Sequence, residues 1–247
     1  MRHYALIGRT LTHSHSKLLF DMQGFSDADY RLQSMPSPER LREWVATESI
    51  AGFNVTNPYK QTVIPLLDKM SPEAHAIGAV NCVSVEGEHL TGHNTDAPAF
   101  LHTLRTLNSL GREAFSQAFI LGTGGAAHAV AYALDRTGIP CSFVSRSPGY
   151  HANAIGYPQL STLDLQLPTL IVNATPVGTY PDIDQSPLDL SALHTPLSSV
   201  FVYDLVYNPS PTLLLRQAAA AGAAICDGTA MLRRQAELSW DIWGLKK

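Results

Sequence analysis

Lysine is scarce in this chain, present only at positions 17, 60, 69, 246 and 247. Lys60 closes the run Gly52-Phe53-Asn54-Val55-Thr56-Asn57-Pro58-Tyr59-Lys60, in which a strand-like segment ends in amide and hydroxyl groups. A cation just past the C-terminal end of a strand stands where α/β folds gather their ligands. There it can stabilise and protonate an oxygen that gains charge during a reaction. Gly78-Ala79-Val80-Asn81 and Gly92-His93-Asn94-Thr95-Asp96 bring carboxamide, hydroxyl and carboxylate groups to turns beside other strands. Such a lining suits a polyhydroxylated acid. Ser14 and Ser16, in His13-Ser14-His15-Ser16, add two hydroxyls that face the same way if the segment is extended. The competing reading is a polar loop that caps the next helix.

A second constellation lies in the other half of the chain. Phe119-Ile120-Leu121 runs into Gly122-Thr123-Gly124-Gly125-Ala126-Ala127 and then into a helical pattern, so a G-x-G-x-x-A fingerprint sits between a strand and a helix. Gly122 permits the tight turn, Gly124 lets backbone approach a pyrophosphate, and Ala127 allows close helix–sheet packing. Gly125 and Ala126 open the helix, whose free N–H groups attract phosphate. About 20 residues on, where an NAD enzyme presents a carboxylate to the ribose, this chain has Ser145-Arg146-Ser147. A guanidinium flanked by two hydroxyls suits a 2′-phosphate, so NADP is expected over NAD.

The elements that must position these groups follow from short β-branched and aromatic runs alternating with helical patterns, the signature of β-α units on parallel sheets. The first half reads as a strand at 3–8, a helix from Ser16, strands at 30–34 and 50–55 around a helix at 38–47, and a helix starting at Pro58. A hairpin over 79–92, turning at Glu86-Gly87-Glu88, closes it. A connecting helix at 96–110 leads to strands at 117–121, 141–145, 169–174, 200–205 and 223–226, with helices at 126–137 and 211–221. Two βαβ halves fit. Pro148, Gly149, Gly156, Pro158 and Pro168 leave room between 147 and 168 for only a short irregular crossover. Apolar residues at Met231, Leu232, Ala236, Leu238, Trp240 and Ile242 make the last segment a packed helix.

Whole-chain properties narrow the partners. With 247 residues, 45% apolar and 15% charged, the chain can bury a sizeable core as one large domain or two modest ones. Its 17 basic against 21 acidic residues build no basic face for nucleic acid or anionic lipid. No apolar stretch approaches the roughly 18–20 residues of a membrane span, and the N-terminal run is shorter than a signal segment, so a cytoplasmic location is expected. Cys82, Cys141 and Cys226 are odd in number and far apart, and all three read as buried thiols. His13/His15 and His89/His93 lack acidic or cysteine companions at ligand spacing, so no metal is expected.

Taken in order, HSHS, GFNVTNPYK, GAVN, GHNTD, GTGGAA, SRS, VNATPVG, DLVYNPSPTLLL and DGTAMLRRQA resemble the shikimate dehydrogenase family, which includes quinate/shikimate enzymes, over nearly the whole chain. The resemblance implies an α/β substrate domain at 1–96 plus 229–247 and a Rossmann-like NADP domain at 97–228. The C-terminal helix would return to the N-terminal domain, with a cleft between the domains for both ligands. It implies reversible NADPH-dependent reduction of 3-dehydroshikimate to shikimate, on the route to chorismate and the aromatic amino acids, by a monomer or homodimer. Lys60 and Asp96 would form the catalytic pair. Ser14 and Ser16 would hold the substrate carboxylate, and Thr56, Asn81, Asp96 and Gln235 the ring hydroxyls. Tyr207 would lie near the carboxylate, and Thr175, Gly228 and Met231 would line the cofactor. Lys17 stands where the family usually has proline, and no second basic residue follows Arg146. The alternatives are a quinate/shikimate dehydrogenase with the same pair, which serine at both 14 and 16 disfavours, and a non-catalytic metabolite sensor, which an intact acid–base pair disfavours.

Overall fold

The computed structural model describes residues 1–11, 14–109, 115–160, 162–163, 165, 167–193 and 197–246. In chain order the elements are β1 (Arg2–Gly8), α1 (Ser16–Asp21), β2 (Ala28–Ser34), α2 (Leu41–Thr47), β3 (Ile50–Val55), α3 (Tyr59–Thr62), β4 (Lys69–Met70), α4 (Pro72–Ile77), β5 (Cys82–Glu86), β6 (His89–His93) and α5 (Asp96–Ser109). They continue with β7 (Gln117–Leu121), α6 (Gly125–Asp135), β8 (Cys141–Ser145), β9 (Ala154–Gly156), α7 (Tyr157–Leu160), β10 (Thr169–Asn173), β11 (Val200–Asp204), α8 (Leu213–Ala220), β12 (Ala224–Cys226) and α9 (Thr229–Ile242). The chain divides into two compact units, Met1–Ala99 with Leu232–Lys247, and Phe100–Met231.

In the first unit the strand order is β2-β1-β3-β5-β6-β4. The central strand β1 is buried from Tyr4 to Gly8, as expected when both faces of a sheet are covered. Alternation sends Ala5 and Ile7 to one face, against Leu41, Phe53, Val55 and Val63. Tyr4 and Leu6 face the other way, against Phe20, Tyr30, Trp240 and Trp243. The end of α9 therefore belongs to this unit's core. Trp243 stacks on Tyr4 at 4.7 Å between ring centroids and donates its indole N–H to the Val83 carbonyl at 3.0 Å. Gly52 is required beneath it, because a β-carbon there would fall 2.5 Å from Trp243 Nε1.

The expected hairpin is present as β5 and β6, and it makes the sheet mixed, with β5 antiparallel to both β3 and β6. Two expectations are corrected here. The single helix expected from Pro58 is broken into short α3, a 3₁₀ turn at Ile64–Leu66, β4 and α4. Ser71 caps α4 by accepting the Ala74 N–H, and left-handed Gly78 ends it. The hydroxyl pair is not extended: His15 is in the helical region, Ser16 already belongs to α1, and Ser14 Oγ accepts the Ser16 N–H at 3.3 Å.

The second unit holds a parallel sheet in the order β12-β11-β10-β7-β8-β9. Numbered from its own first strand this is the doubly wound 3-2-1-4-5-6 order, with a switch point between β7 and β10. Phe119, Leu121, Val144, Ile171, Val202, Leu214 and Leu215 fill one layer. Phe100 stacks on Tyr203 at 5.3 Å in the other. The irregular crossover expected after Ser147 instead contains β9 and α7, and β9 completes the sheet edge. Cys82 is buried as expected, whereas Cys141 and Cys226 are only half-buried because they lie at strand ends; all three are free thiols.

Candidate functional site

In the first unit, three strand ends converge on Lys60 and Asp96. The Val55 N–H donates to the Asn81 carbonyl at 2.9 Å, Asn81 N–H to His93 O at 3.1 Å, and Val80 N–H to Lys60 O at 2.7 Å. These backbone bonds fix α3, the turn before β5 and the end of β6 against one another. Lys60 Nζ then lies 2.7 Å from Asp96 Oδ2, with side-chain exposures of 18% and 7%. Asn81 donates its amide to Asp96 Oδ1 and to Thr95 Oγ1, both at 2.9 Å, and accepts the Thr95 N–H at 2.7 Å. Asn94 accepts the Ala97 N–H and so secures the first turn of α5, from which Asp96 projects. Asp96 thus presents one oxygen to an ammonium and the other to an amide, a geometry that orients the ammonium instead of neutralising it in solvent.

Gln235 on α9 joins this cluster, its Oε1 3.4 Å from Asn81 Nδ2. Thr56, half-buried, follows β3 and donates its N–H to Ile7 O at 2.9 Å. Gly8 allows this approach, since a β-carbon there would fall 2.7 Å from Thr56 Cγ2. The buried support behind the site escaped the sequence reading. Tyr30 donates to Asn54 Oδ1 at 2.8 Å, and Asn54 donates to the Asn81 carbonyl and to Ser239 Oγ at 3.1 and 2.9 Å. Ser239 stands one turn from Gln235 and donates to its carbonyl. A serine on the apolar face of α9 was the available signal. Cys82, also beside Ser239, is inert: burial pushes its thiol up to about 12, so no thiolate forms at neutral pH.

In the second unit, Gly122 has φ +102° and a β-carbon there would meet Thr175 Cγ2 at 3.0 Å, so the turn after β7 demands glycine. Gly124 caps α6, with open space where a side chain would stand. Ala127 is fully buried against the sheet. Gly228 is equally constrained: a β-carbon would fall 2.1 Å from the Leu205 carbonyl oxygen, and its N–H donates to Val206 O. Tyr207 is half-buried just past β11, and Met231 is buried. At the end of β8, Ser145 Oγ accepts the Ser147 N–H at 3.1 Å, and Ser145 and exposed Arg146 line a pocket of about 530 Å³. Tyr157, Pro158 and Gln159 share that pocket and were missed, because α7 was not foreseen. These residues fit a dinucleotide: glycines clear the phosphate approach, a helix N-terminus faces it, and a cation stands at the second strand. Among the described residues no group of three or more His, Cys, Asp or Glu could hold a metal.

A doubly wound sheet with this turn, in a chain whose other unit carries a largely buried lysine–carboxylate pair, defines a two-unit α/β protein of the dehydrogenase class. Comparison with known proteins narrows the class. Residues 6–83 match the family described as the shikimate dehydrogenase substrate binding domain. The chain is 35% identical over 260 residues to a shikimate dehydrogenase (NADP(+)) from a Nostoc species, covering 96% of this chain and 89% of that one. It superimposes on shikimate dehydrogenase 1 from Peptoclostridium difficile with a TM-score of 0.87 at 32% identity, over 100% of this chain and 93% of the other. A shikimate 5-dehydrogenase from Thermus thermophilus, solved with NADP(H) and shikimate, gives 0.81 at 32% identity, over 98% and 93%. The chain belongs to the shikimate dehydrogenase family.

Proposed function

We propose that this chain catalyses the reversible NADPH-dependent reduction of 3-dehydroshikimate to shikimate. The observation that carries the reading is the Lys60–Asp96 pair, 2.7 Å apart and largely desolvated, in a chain of this family. When bound, NADPH supplies the hydride that reduces the ring ketone carbon. Lys60 provides positive charge to the carbonyl oxygen as it becomes an alkoxide, and then its proton. The neutral amine is reprotonated from solvent. Asp96 holds the ammonium in place and, with Asn81, Thr56 and Gln235, accepts or donates hydrogen bonds to ring hydroxyls. Ser14, Ser16 and Tyr207 are assigned to the substrate carboxylate. On this reading residues 1–96 with 229–247 bind substrate, and 97–228 bind the cofactor.

Gly122, Gly124, Gly125 and Ala126 are assigned to the pyrophosphate, and Ser145, Arg146 and Ser147 to the 2′-phosphate, whose charge selects NADP over NAD. Thr175, Gly228 and Met231 are assigned to the nicotinamide side. No helix among the described residues is long and apolar enough to cross a membrane. The working form is taken to be a cytoplasmic monomer or homodimer. The test is NADPH consumption with 3-dehydroshikimate by the wild type and by Lys60→Ala. The wild type should turn over and the variant should lose turnover while still binding shikimate. Binding by the wild type without turnover would overturn the enzyme in favour of a sensor.

A further inference from the structure

We infer that Asp204 is a positioning residue for the cofactor, shaping the 174–179 turn through the side chain of Asn173. The inference rests on the assignment of Thr175 to the cofactor site. Asp204 ends β11, is fully buried, and has no place in the chemistry above. Its Oδ1 accepts Asn173 Nδ2 at 2.8 Å and Val206 N–H at 3.0 Å, and its Oδ2 accepts the Thr212 hydroxyl at 2.7 Å. A carboxylate can only accept, so it dictates which end of the Asn173 amide points toward it.

The consequence appears on the other end of that amide. Asn173 Oδ1 accepts both the Thr175 N–H at 3.0 Å and the Thr175 hydroxyl at 2.7 Å. Thr175 Oγ1 in turn accepts the Val177 N–H at 3.2 Å. The turn thus takes its shape from one asparagine side chain, and its Thr175 methyl lies against Gly122 of the glycine turn. Were the amide reversed, its NH₂ would face the Thr175 N–H, donor against donor, and the turn would lose its template.

The test compares Asp204→Ala with Asp204→Asn. The alanine removes the acceptor. The asparagine can keep its carbonyl toward Asn173 and Val206 and give its amide to Thr212 Oγ1. Dissociation constants for NADP and for shikimate are measured separately on folded protein. Asp204→Ala should weaken NADP by about tenfold or more with shikimate affinity unchanged, and Asp204→Asn should recover most of the loss. Should Asp204→Ala fail to fold, Asn173→Ala breaks the next link and should weaken NADP alike. Unchanged NADP affinity in a folded Asp204→Ala or Asn173→Ala protein overturns the inference, as does equal weakening of both ligands. Thr175→Trp separates the two layers. If it binds NADP normally, the assignment of Thr175 itself fails; if it loses NADP while Asp204→Ala does not, only the role of Asp204 fails.

Discussion

Replacing Lys60 by arginine or by methionine separates the charge of this side chain from its proton. In the wild type Lys60 Nζ lies 2.7 Å from an Asp96 carboxylate whose side chain is 7% exposed. Lys60→Met leaves that carboxylate buried with the Asn81 amide but without its cation. Removing one partner of a buried pair costs about 3–5 kcal/mol, and because Lys60 retains some contact with water the expected loss of stability is ~2–3 kcal/mol. Lys60→Arg keeps the cation, and its stability should stay within about 1 kcal/mol of the wild type. A guanidinium, however, does not release its proton at neutral pH. On the proposed assignment kcat should therefore fall roughly 100- to 10,000-fold in the arginine variant despite its intact ion pair. Urea unfolding gives the stabilities, and initial rates of NADPH consumption at saturating 3-dehydroshikimate give kcat. An arginine variant that turns over near the wild-type rate would refute proton donation by Lys60. A methionine variant as stable as the wild type would refute the desolvated pair.

Three further outcomes follow from the same geometry. Asn81→Asp preserves the acceptor for the Thr95 N–H but sets a second carboxylate against Asp96 Oδ1 in place of a donor, so kcat/KM should fall roughly tenfold or more in initial-rate assays. Arg146→Gln should raise the KM for NADPH roughly tenfold and leave that for NADH unchanged, as initial-rate kinetics with both cofactors will show. Burial pushes the Asp204 carboxyl up to about 6, against the stabilising bonds from Thr212, Val206 and Asn173. A carboxyl raised in the folded state gives stability that is complete below about pH 4 and lost as the pH rises through 6. At about 1.36 kcal/mol per pH unit this amounts to ~3 kcal/mol, so the stability difference between Asp204→Asn and the wild type should grow in the variant's favour from pH 4 to pH 7 by an amount of that order in urea unfolding.

Short runs of apolar and aromatic residues between helical patterns were legible without coordinates: β3, β7 and β8 have the limits that their apolar patterns indicate. The G-x-G-x-x-A turn was legible for the same reason, since its strand and helix flank it directly. Less legible were elements too short to show a period. α4 spans six residues, and its Ser71 cap and Gly78 stop were its only markers; β9 and α7 hide among prolines and glycines. The serine pair misled because alternation holds only for extended backbone, and one helical residue, His15, breaks it. In the site, residue type and spacing named most of the polar groups, while their convergence was legible only through the family resemblance. Lys60, Asn81 and Asp96 meet because an antiparallel hairpin lies beside β3, and Asn54 meets Ser239 across 185 positions of sequence. Such long-range pairings have no local sequence signal.

The most direct measurement is a set of initial rates for oxidation of shikimate and of quinate, each with NADP and with NAD, by the wild-type chain. Shikimate with NADP should give the highest kcat/KM of the four. A higher value for quinate with NAD would contradict the assignment of both substrate and cofactor, and the absence of turnover in all four despite measurable binding would contradict the enzyme itself.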